Sequence, residues 1–373
     1  MKFVVSKSVF GTAVDTLSKV INAKNPLPIL TSFLCEVNNK QLTMTASDSE
    51  VTLKTTIPLA EMEGDGRFCV SAALLKQALK GLQEQLLTVT VTTESDNMFT
   101  IAHEIGQIHF LAQSADEYPI PTDQKYDEQI ELPTETIIAA INRCEWATAN
   151  DDLRPIMNGI YFGIQEGFLD IVASNGHVLA KSHIGVMVSI NLELGIIIPK
   201  KAVKMLQSVL SAGYTEIKIS ERYAEFEFEG YTLTFLTLEG KYPNYNSIIP
   251  ESSPITAEVE RAQLIETVKR VSPFTLESSN MITLHFEADK LKVIAVDYDL
   301  SMGADDTVPV EYHPFKPITI GIKASSLLNI AKNIKAENLY INMSDPSRAM
   351  VFEPTEQSEK EDITMLAMPM MID

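Results

Sequence analysis

The sequence predicts an α+β protein built as a threefold repeat of one domain, each copy with two helices packed on antiparallel sheets. Three observations carry that reading. Residues 42–48, 169–175 and 291–297 each alternate apolar and other residues at period two, then stop on a small residue and an Asp or Asn, as a strand does when it runs into a turn. Other landmarks recur in step: Leu27-Pro28-Ile29-Leu30 answers Arg154-Pro155-Ile156-Met157, and Phe110-Leu111-Ala112 answers Phe235-Leu236-Thr237 and Met365-Leu366-Ala367. The spacing, about 125 residues, exceeds that of solenoid repeats and matches a domain. The expected copies are residues 1–122, 123–250 and 251–373.

The elements of the first copy follow in order. Phe3 to Val5 alternates as a strand, Ser6 or Ser8 is placed to cap a helix, and Val9, Ala13, Leu17, Val20 and Ile21 fall on one helical face. Strands are expected at 33–37, 42–46, 51–57 and 67–70, the last after the turn at Gly64 and Gly66. Ser71 caps a second helix to about Leu82, and strands at 87–92, 98–103 and 107–112 complete the copy. Residues 116–123, acidic and with two prolines, read as a linker.

The second copy repeats the order, with helices at 134–148 and 199–211 and closing strands at 216–219, 224–229 and 233–238; the next linker holds a second Tyr-Pro step at Tyr242-Pro243. The third has helices at 261–272 and 324–335, with strands at 282–287, 291–296, 300–304, 339–343, 349–353 and 363–368. Two helices on one face of antiparallel sheets make a layered core.

Composition narrows the class. At 373 residues and 45% hydrophobic, the chain holds material for two or three cores. Its net charge of −20, from 50 acidic and 30 basic residues, argues on average against a nucleic-acid or anionic-membrane partner. Cys35, Cys69 and Cys144 are odd in number and scattered, so neither a disulfide framework nor a zinc site is expected, and a reducing cytoplasm fits. No window approaches 18 uninterrupted apolar residues, and no membrane span or secretory leader is expected.

The placement of the basic residues contradicts the average. The second helix of each copy carries lysine alone: Lys76 and Lys80 in the first, Lys200, Lys201 and Lys204 in the second, Lys323, Lys332 and Lys335 in the third. With this chain's charge ratio, eight basic residues and no acidic one would arise by chance roughly 4 times in 10,000. Lys76/Lys80 and Lys200/Lys204 are like-charge i,i+4 pairs, each destabilising its helix by about 0.2–0.5 kcal/mol. An ordinary solvated face explains any one of these helices but would interleave Glu. Three basic helices facing a common polyanion explain all of them. The first helices are mixed, with Lys7, Lys19, Arg143, Arg261, Lys269 and Arg270 beside Asp15, Glu145 and Glu266.

Catalytic signatures are weak. Gly240-Lys241 lacks the upstream glycine of a P-loop, His103-Glu104 lacks the second His of a zinc helix, and the acidic turn at Asp297 and Asp299 lacks the glycine and glutamate positions of a calcium loop. Six dispersed histidines give no triad by spacing. Two stretches stand out near the junction of the second and third copies. One is the turn Ser174-Asn175-Gly176-His177. The other is the apolar, Met-rich end at 368–373, where polar residues are the rule.

Taken in order, Met1-Lys2-Phe3, Leu27-Pro28-Ile29-Leu30, Arg154-Pro155-Ile156-Met157-Asn158-Gly159, Ala173-Ser174-Asn175-Gly176-His177, Gly240-Lys241-Tyr242-Pro243-Asn244-Tyr245 and Met368-Pro369-Met370 make the chain resemble the bacterial DNA polymerase III beta subunits, the beta sliding clamps, over its whole length. The resemblance implies three clamp domains per chain and two chains closed head to tail into a ring, with helices inside and sheets outside. Lys76, Lys80, Lys200, Lys201, Lys204, Lys332 and Lys335, with Lys24 at a matching family position, would then contact duplex DNA without base readout. It also implies a pocket for short apolar peptides of the replicative polymerase, the clamp loader and repair polymerases. Its wall would include Arg154, Met157, Ser174, Gly176, His177, Leu179, Pro243, Ile248, Met368, Pro369 and Met370. At the chain-to-chain seam, Ile108 and Phe110 would meet Pro273 and Phe274 of the other chain. This chain departs from relatives at Val178, Ser247, Ser279, Asp151 and Pro155.

The function expected is therefore a homodimeric processivity factor that binds duplex DNA independently of sequence and has no catalytic residue, metal, cofactor or membrane contact. Two other classes predict different outcomes. An enzyme using His177 as acid or base would lose turnover on substitution of that residue, and a monomeric scaffold would not be retained on DNA.

Overall fold

A computed structural model of the chain describes residues 1–92, 97–119, 125–126, 128–165, 167–186, 194–220, 222–250, 252–313 and 316–372. The first linker is described only to Pro119, and the expected boundary residues 122, 123 and 251 and the terminal residue 373 lie outside the described residues.

The first repeat runs β1 (Lys2–Ser6), α1 (Lys7–Leu17), β2 (Ser32–Asn38), β3 (Gln41–Ser47), β4 (Val51–Pro58), β5 (Glu61–Glu63), β6 (Gly66–Ser71), α2 (Ala72–Lys80), β7 (Leu86–Thr92), β8 (Met98–His103) and β9 (Gly106–Gln113). The second runs β10 (Glu128–Pro133), α3 (Thr134–Cys144), β11 (Gly159–Gln165), β12 (Phe168–Ser174), β13 (Val178–Gly185), β14 (Leu194–Pro199), α4 (Lys200–Val209), β15 (Tyr214–Ile219), β16 (Tyr223–Phe228) and β17 (Tyr231–Leu236). The third runs β18 (Ile255–Glu260), α5 (Arg261–Val271), β19 (Met281–Phe286), β20 (Lys290–Asp297), β21 (Met302–His313), β22 (Ile318–Lys323), α6 (Ala324–Asn333), β23 (Asn338–Met343), β24 (Met350–Pro354) and β25 (Glu361–Ala367). The order recurs three times, as the spacing predicts.

Every strand pairing among these elements is antiparallel, and the pairings repeat too. The middle strands pair as β2–β3–β4, β11–β12–β13 and β19–β20–β21; the outer ones as β1–β7–β8–β9, β10–β15–β16–β17 and β18–β23–β24–β25. The sheets do not stop at the repeats. Strand β17 pairs with β4, with Leu233 opposite Leu53; β25 pairs with β13, with Leu366 opposite Leu179.

Two compact units result: residues 1–138 with 204–237, and residues 139–203 with 238–373. In the first, the described strands form one sheet from β10 to β5; in the second, one from β14 to β22. The second repeat contributes to both units.

Helix packing follows from the spacing of apolar residues. In α1, Phe10, Ala13, Val14 and Leu17 are buried, at the i, i+3, i+4, i+7 positions of one face. Of the expected stripe, Ala13, Leu17 and Val20 are buried, but Phe10 takes the place of Val9, which is 39% exposed, and α1 ends at Leu17, before Val20 and Ile21. Helix α2 buries Ala72, Leu75 and Leu79 behind a cap in which Ser71 Oγ accepts from Leu74 N. Ser6 stands at the cap of α1, but its hydroxyl bonds Ser8 and Glu84 instead of a helical N–H. The helix expected to reach 335 ends at Asn333, where Ile334 turns to extended backbone, so Lys335 lies just beyond α6.

Candidate functional site

The second helices have a polar face opposite each buried stripe. Lys76 and Lys80 of α2, Lys201 and Lys204 of α4 and Lys332 of α6 are exposed, with Lys200 half-buried at the start of α4 and Lys323 and Lys335 exposed at the ends of α6. Lys24, in the turn after α1, is exposed as well. Lys76 sits 3.1 Å from Asp15 of α1, both well exposed, a pair that water screens to under about 1 kcal/mol. Lys80, Lys200, Lys204, Lys332 and Lys335 make no ion pair among the described residues. A cleft of about 200 Å³ between α1 and α2 brings Lys7, Lys76 and Lys80 together around Asp15.

The cations of the first helices are engaged elsewhere. Arg143 is nearly buried and donates to Ser182 Oγ at 2.7 Å and to Glu361. Arg261 donates to the Ala336 carbonyl, Arg270 pairs with Asp306 at 2.6 Å, and Lys269 pairs with Glu266 at 2.7 Å. Arg143 and Arg261 are thus tied into the fold, Lys269 and Arg270 are paired at the surface, and Lys7 shares the cleft of Lys76 and Lys80.

The second unit gathers the residues expected in a peptide pocket. The turn between β12 and β13 is held by Asn175 Oδ1, which accepts from His177 N at 2.9 Å and Val178 N at 3.0 Å. Ser174 Oγ donates to the Val178 carbonyl and accepts from Gly176 N. Gly176 has φ +90°, and a Cβ there would lie 3.2 Å from Arg154 Nη1, so the guanidinium passes over a position that only glycine fits without strain. Arg154 is held by Asp151 at 2.8 Å; that hydrogen bond keeps the Asp151 carboxyl below its usual range. Met157 is buried in the turn after Pro155.

The chain end enters the same region. Met368 N donates to the His177 carbonyl, and Met370 N to the Gly321 carbonyl, both at 2.8 Å. Beneath lies an apolar cluster of Val172, Leu179, Ala349, Val351 and Leu366 with Tyr242. Ile248, Met368, Met371 and Ile372 remain 41 to 93% exposed. Pro243 is exposed on the linker, and Pro369 is half-buried.

Two features of this site have no signal in the sequence reading. Gly321 is one: a Cβ on it would lie 2.6 Å from the Met370 carbonyl oxygen, so the tail seats only against a bare backbone. The other is the clasp on the linker carrying Pro243 and Ile248. Asp170 accepts from Tyr245 OH at 2.6 Å, from His183 Nδ1 at 2.5 Å and from Lys181 at 3.0 Å. Burial and the Asp170 carboxylate push the Tyr245 phenol well up, so it stays a donor. Tyr161 stacks on Tyr242 at 5.0 Å and lies across Gly163 and Gly195, where a Cβ would meet its ring. Ser174 N donates to Tyr242 OH at 3.0 Å, tying the linker to the turn. The clasp lines a cleft of about 540 Å³.

His177 itself is exposed, and its ring makes no hydrogen bond or ion pair among the described residues. Of the expected seam residues, Ile108 and Phe110 lie on an open strand edge of the first unit and Pro273 and Phe274 in a turn of the second. Ile108 and Phe110 are half-buried on β9, with Phe110 stacked on Phe99 at 5.1 Å. Among the described residues, Gly106 to Leu111 pairs with β8 alone, β6 taking only Ala112 and Gln113. In the other unit, Met302 to Pro309 of β21 pairs with β20 alone, and β18 takes only the stretch from Val310. Pro273 and Phe274 are exposed in the turn packed beside β20 and β21.

Comparison with known proteins agrees across the chain. Family models of the DNA polymerase III beta subunit match it three times: the N-terminal domain at residues 1–122, the central domain at 131–244 and the C-terminal domain at 246–371. The beta sliding clamp of Haemophilus influenzae is 24% identical over 98% of this chain and 99% of its own. A crystal structure of the DNA polymerase III subunit beta from Pseudomonas aeruginosa superposes with a TM-score of 0.94 at 23% identity, covering both chains completely. The sliding clamp of the same organism bound to griselimycin superposes at 0.92, again at 23% identity and complete coverage. With three clamp domains in sequence and every repeat folded to one plan, the chain belongs to the DNA polymerase III beta subunit family, the bacterial beta sliding clamps.

Proposed function

We propose that two copies of this chain close into a ring around duplex DNA and tether the replicative polymerase to it. The observation that carries the reading is the rule by which repeats join. The last strand of the second repeat pairs with the third middle strand of the first, and the last strand of the third with that of the second. Continued once more, the rule joins β9 of the first repeat to the open part of β21. Both edges are unpaired among the described residues. Exposed strand edges seek partners, and a head-to-tail pair of chains satisfies both edges at once. Pro273 and Phe274 would then flank the seam opposite Ile108 and Phe110.

In such a ring the second helices turn their lysines to the hole. Phosphate contact without base readout makes binding sequence-independent and salt-sensitive, and encirclement allows each contact to be weak enough for sliding. The chain has no chemistry of its own and acts as a non-catalytic subunit in the cytoplasm. The polymerase, the clamp loader and repair polymerases dock by short apolar peptides in the pocket of His177, Met157, Leu179, Pro243, Ile248 and Met368 to Met370. Such an anchor suits an apolar cleft with few polar groups. The domain limits proposed are 1–122, 123–250 and 251–373.

Retention on circular plasmid DNA after loading, with the same plasmid linearised as control, tests this reading. Wild-type protein should stay on circles and leave linear ends. Reversal of Lys200, Lys201 and Lys204 to Glu should shorten retention at least tenfold at moderate salt. Equal retention on circles and lines would end the ring reading; unchanged retention of the triple variant would end the inward-facing assignment.

A further inference from the structure

The turn that walls the candidate pocket of the second unit has a counterpart in the first unit, bond for bond. There Asp48 Oδ1 accepts from Glu50 N at 3.1 Å and Val51 N at 3.0 Å, as Asn175 does from His177 and Val178. Ser47 Oγ donates to the Val51 carbonyl and accepts from Ser49 N, as Ser174 does with Val178 and Gly176. Leu236 N donates to the Glu50 carbonyl at 3.2 Å, as Met368 N does to that of His177. Even the tyrosine before the linker proline is tied down in both, Tyr118 to the Thr45 carbonyl and Tyr242 to Ser174.

This counterpart borders a cavity of about 210 Å³, lying wholly within the first unit. Leu27, Ser49, Glu50, Thr52, Pro119 and Leu236 line it. By strand pairing they hold the places of Arg154, Gly176, His177, Leu179, Pro243 and Met368; the pairing sets Leu236 against Met368, two residues on from the Leu366 that the sequence match gives. Leu27 and Leu236 are 48% and 39% exposed at its rim, with Phe235 and Tyr223 inside. The substitutions change the chemistry in one direction. A cation becomes Leu27, an imidazole becomes the carboxylate of Glu50, and the exposed Asp116 and Glu117 stand three and two residues before Pro119 in the same linker.

We propose that this cleft is a second docking groove, for a short extended peptide of a partner protein with leucine-sized apolar anchors flanked by Lys or Arg. The apolar rim matches the anchors, and the three carboxylates match the cations; rim charges of this kind set partner choice more than affinity. Because the cavity is small, binding here is weak. The proposal rests on the peptide reading of the pocket at Met368, whose geometry it repeats.

The probe is a synthetic hexapeptide of leucine and lysine with one photo-reactive benzophenone residue, cross-linked to the full-length protein and mapped by mass spectrometry. Cross-links are expected at both sites, one set on segments holding Leu27, Pro119 or Leu236, the other on those holding His177 or Met368. Leu236→Lys with Leu27→Arg should reduce the first set at least tenfold and leave the second unchanged. Glu50→Lys should shift the first site toward a glutamate-flanked version of the peptide. Both positions are surface-exposed, and unchanged thermal melting of each variant checks that it folds. Labelling at the Met368 site alone overturns the proposal and spares the pocket reading. Labelling at the Leu27 site alone supports it and overturns the pocket reading, and labelling at neither overturns both.

Discussion

At the scale of single residues, the candidate pocket depends on side chains that are missing. Gly321 leaves room for the Met370 carbonyl, and any Cβ there would stand 2.6 Å from that oxygen. Gly321→Ala should therefore displace the tail, lowering stability by about 1–3 kcal/mol, the range for overpacking, and weakening peptide binding about tenfold. Gly185→Ala is the control, since a Cβ there meets nothing within 4 Å. Titration with a labelled apolar peptide and thermal melting of both variants would check this; equal behaviour of the two would remove the tail from the site. The turn at Gly176 and His177 was legible because an Asx residue followed by glycine announces itself. Gly321 was not, because its neighbour in space is 49 residues away in the chain.

At the scale of elements, charge ladders on the sheets do what propensity alone cannot. On β15 and β16, Lys218 lies 2.6 Å from Glu227 and 3.4 Å from both Glu216 and Glu225. Its partial burial disfavours the charge, but hydrogen bonding and attraction from Glu227, Glu216 and Glu225 outweigh that and push it up to about 12. The Lys218 hydrogen bond in turn holds the Glu227 carboxyl below its usual range. A depressed carboxylate stabilises above its unfolded pKa of about 4.3 and loses that contribution as the pH falls through its folded value; a raised lysine stabilises below about 10.4 and loses it toward higher pH. The ladder is thus complete between those limits. After screening, it contributes on the order of 1 kcal/mol. Lys218→Met should lower the melting temperature more at pH 7 than at an acid pH low enough for Glu227, held below its usual range, to lose its charge. An equal loss at both pH values would show that the lysine acts by packing alone.

Element types were largely legible in the chain. Period-two stretches became strands, and Ser71 capped α2 as its position suggested. Boundaries and faces were less so. The stripe of α1 is set by Phe10 and Val14 packing beneath the helix, and a sequence offers Val9 as an equally apolar choice. The end of α6 before Lys335 is decided by Ile334 turning into the core at 0% exposure.

At the scale of the whole molecule, the two open edges make one prediction. Ile108→Asp places a charge on the unpaired edge of β9 without removing a core residue, since Ile108 is only half-buried. It should convert a dimer to monomer by light-scattering sizing and abolish retention on circular DNA, while leaving the melting of the first unit near wild type. A dimer that survives would move the seam elsewhere. Salt adds a second reading of the same assembly: each lysine removed from the second helices should reduce the slope of log affinity against log salt by about 0.9.

The amino-acid order alone determined the repeat, the class of each element and the segregation of lysine onto the second helices, because period, turn chemistry and charge are local properties written within a few residues. It also determined the apolar character of the chain's end. Only the tertiary structure decided that the second repeat lends its strands to both compact units, that Gly321 seats the Met370 backbone, that Asp170 clasps the linker at Tyr245, and that Arg143 is internal while Lys80 and Lys204 make no ion pair among the described residues. It also brought out the cavity at Leu27 and Leu236. Each of these depends on which distant segments meet, and backbone pairing across a sheet leaves no periodic trace in either strand to name its partner.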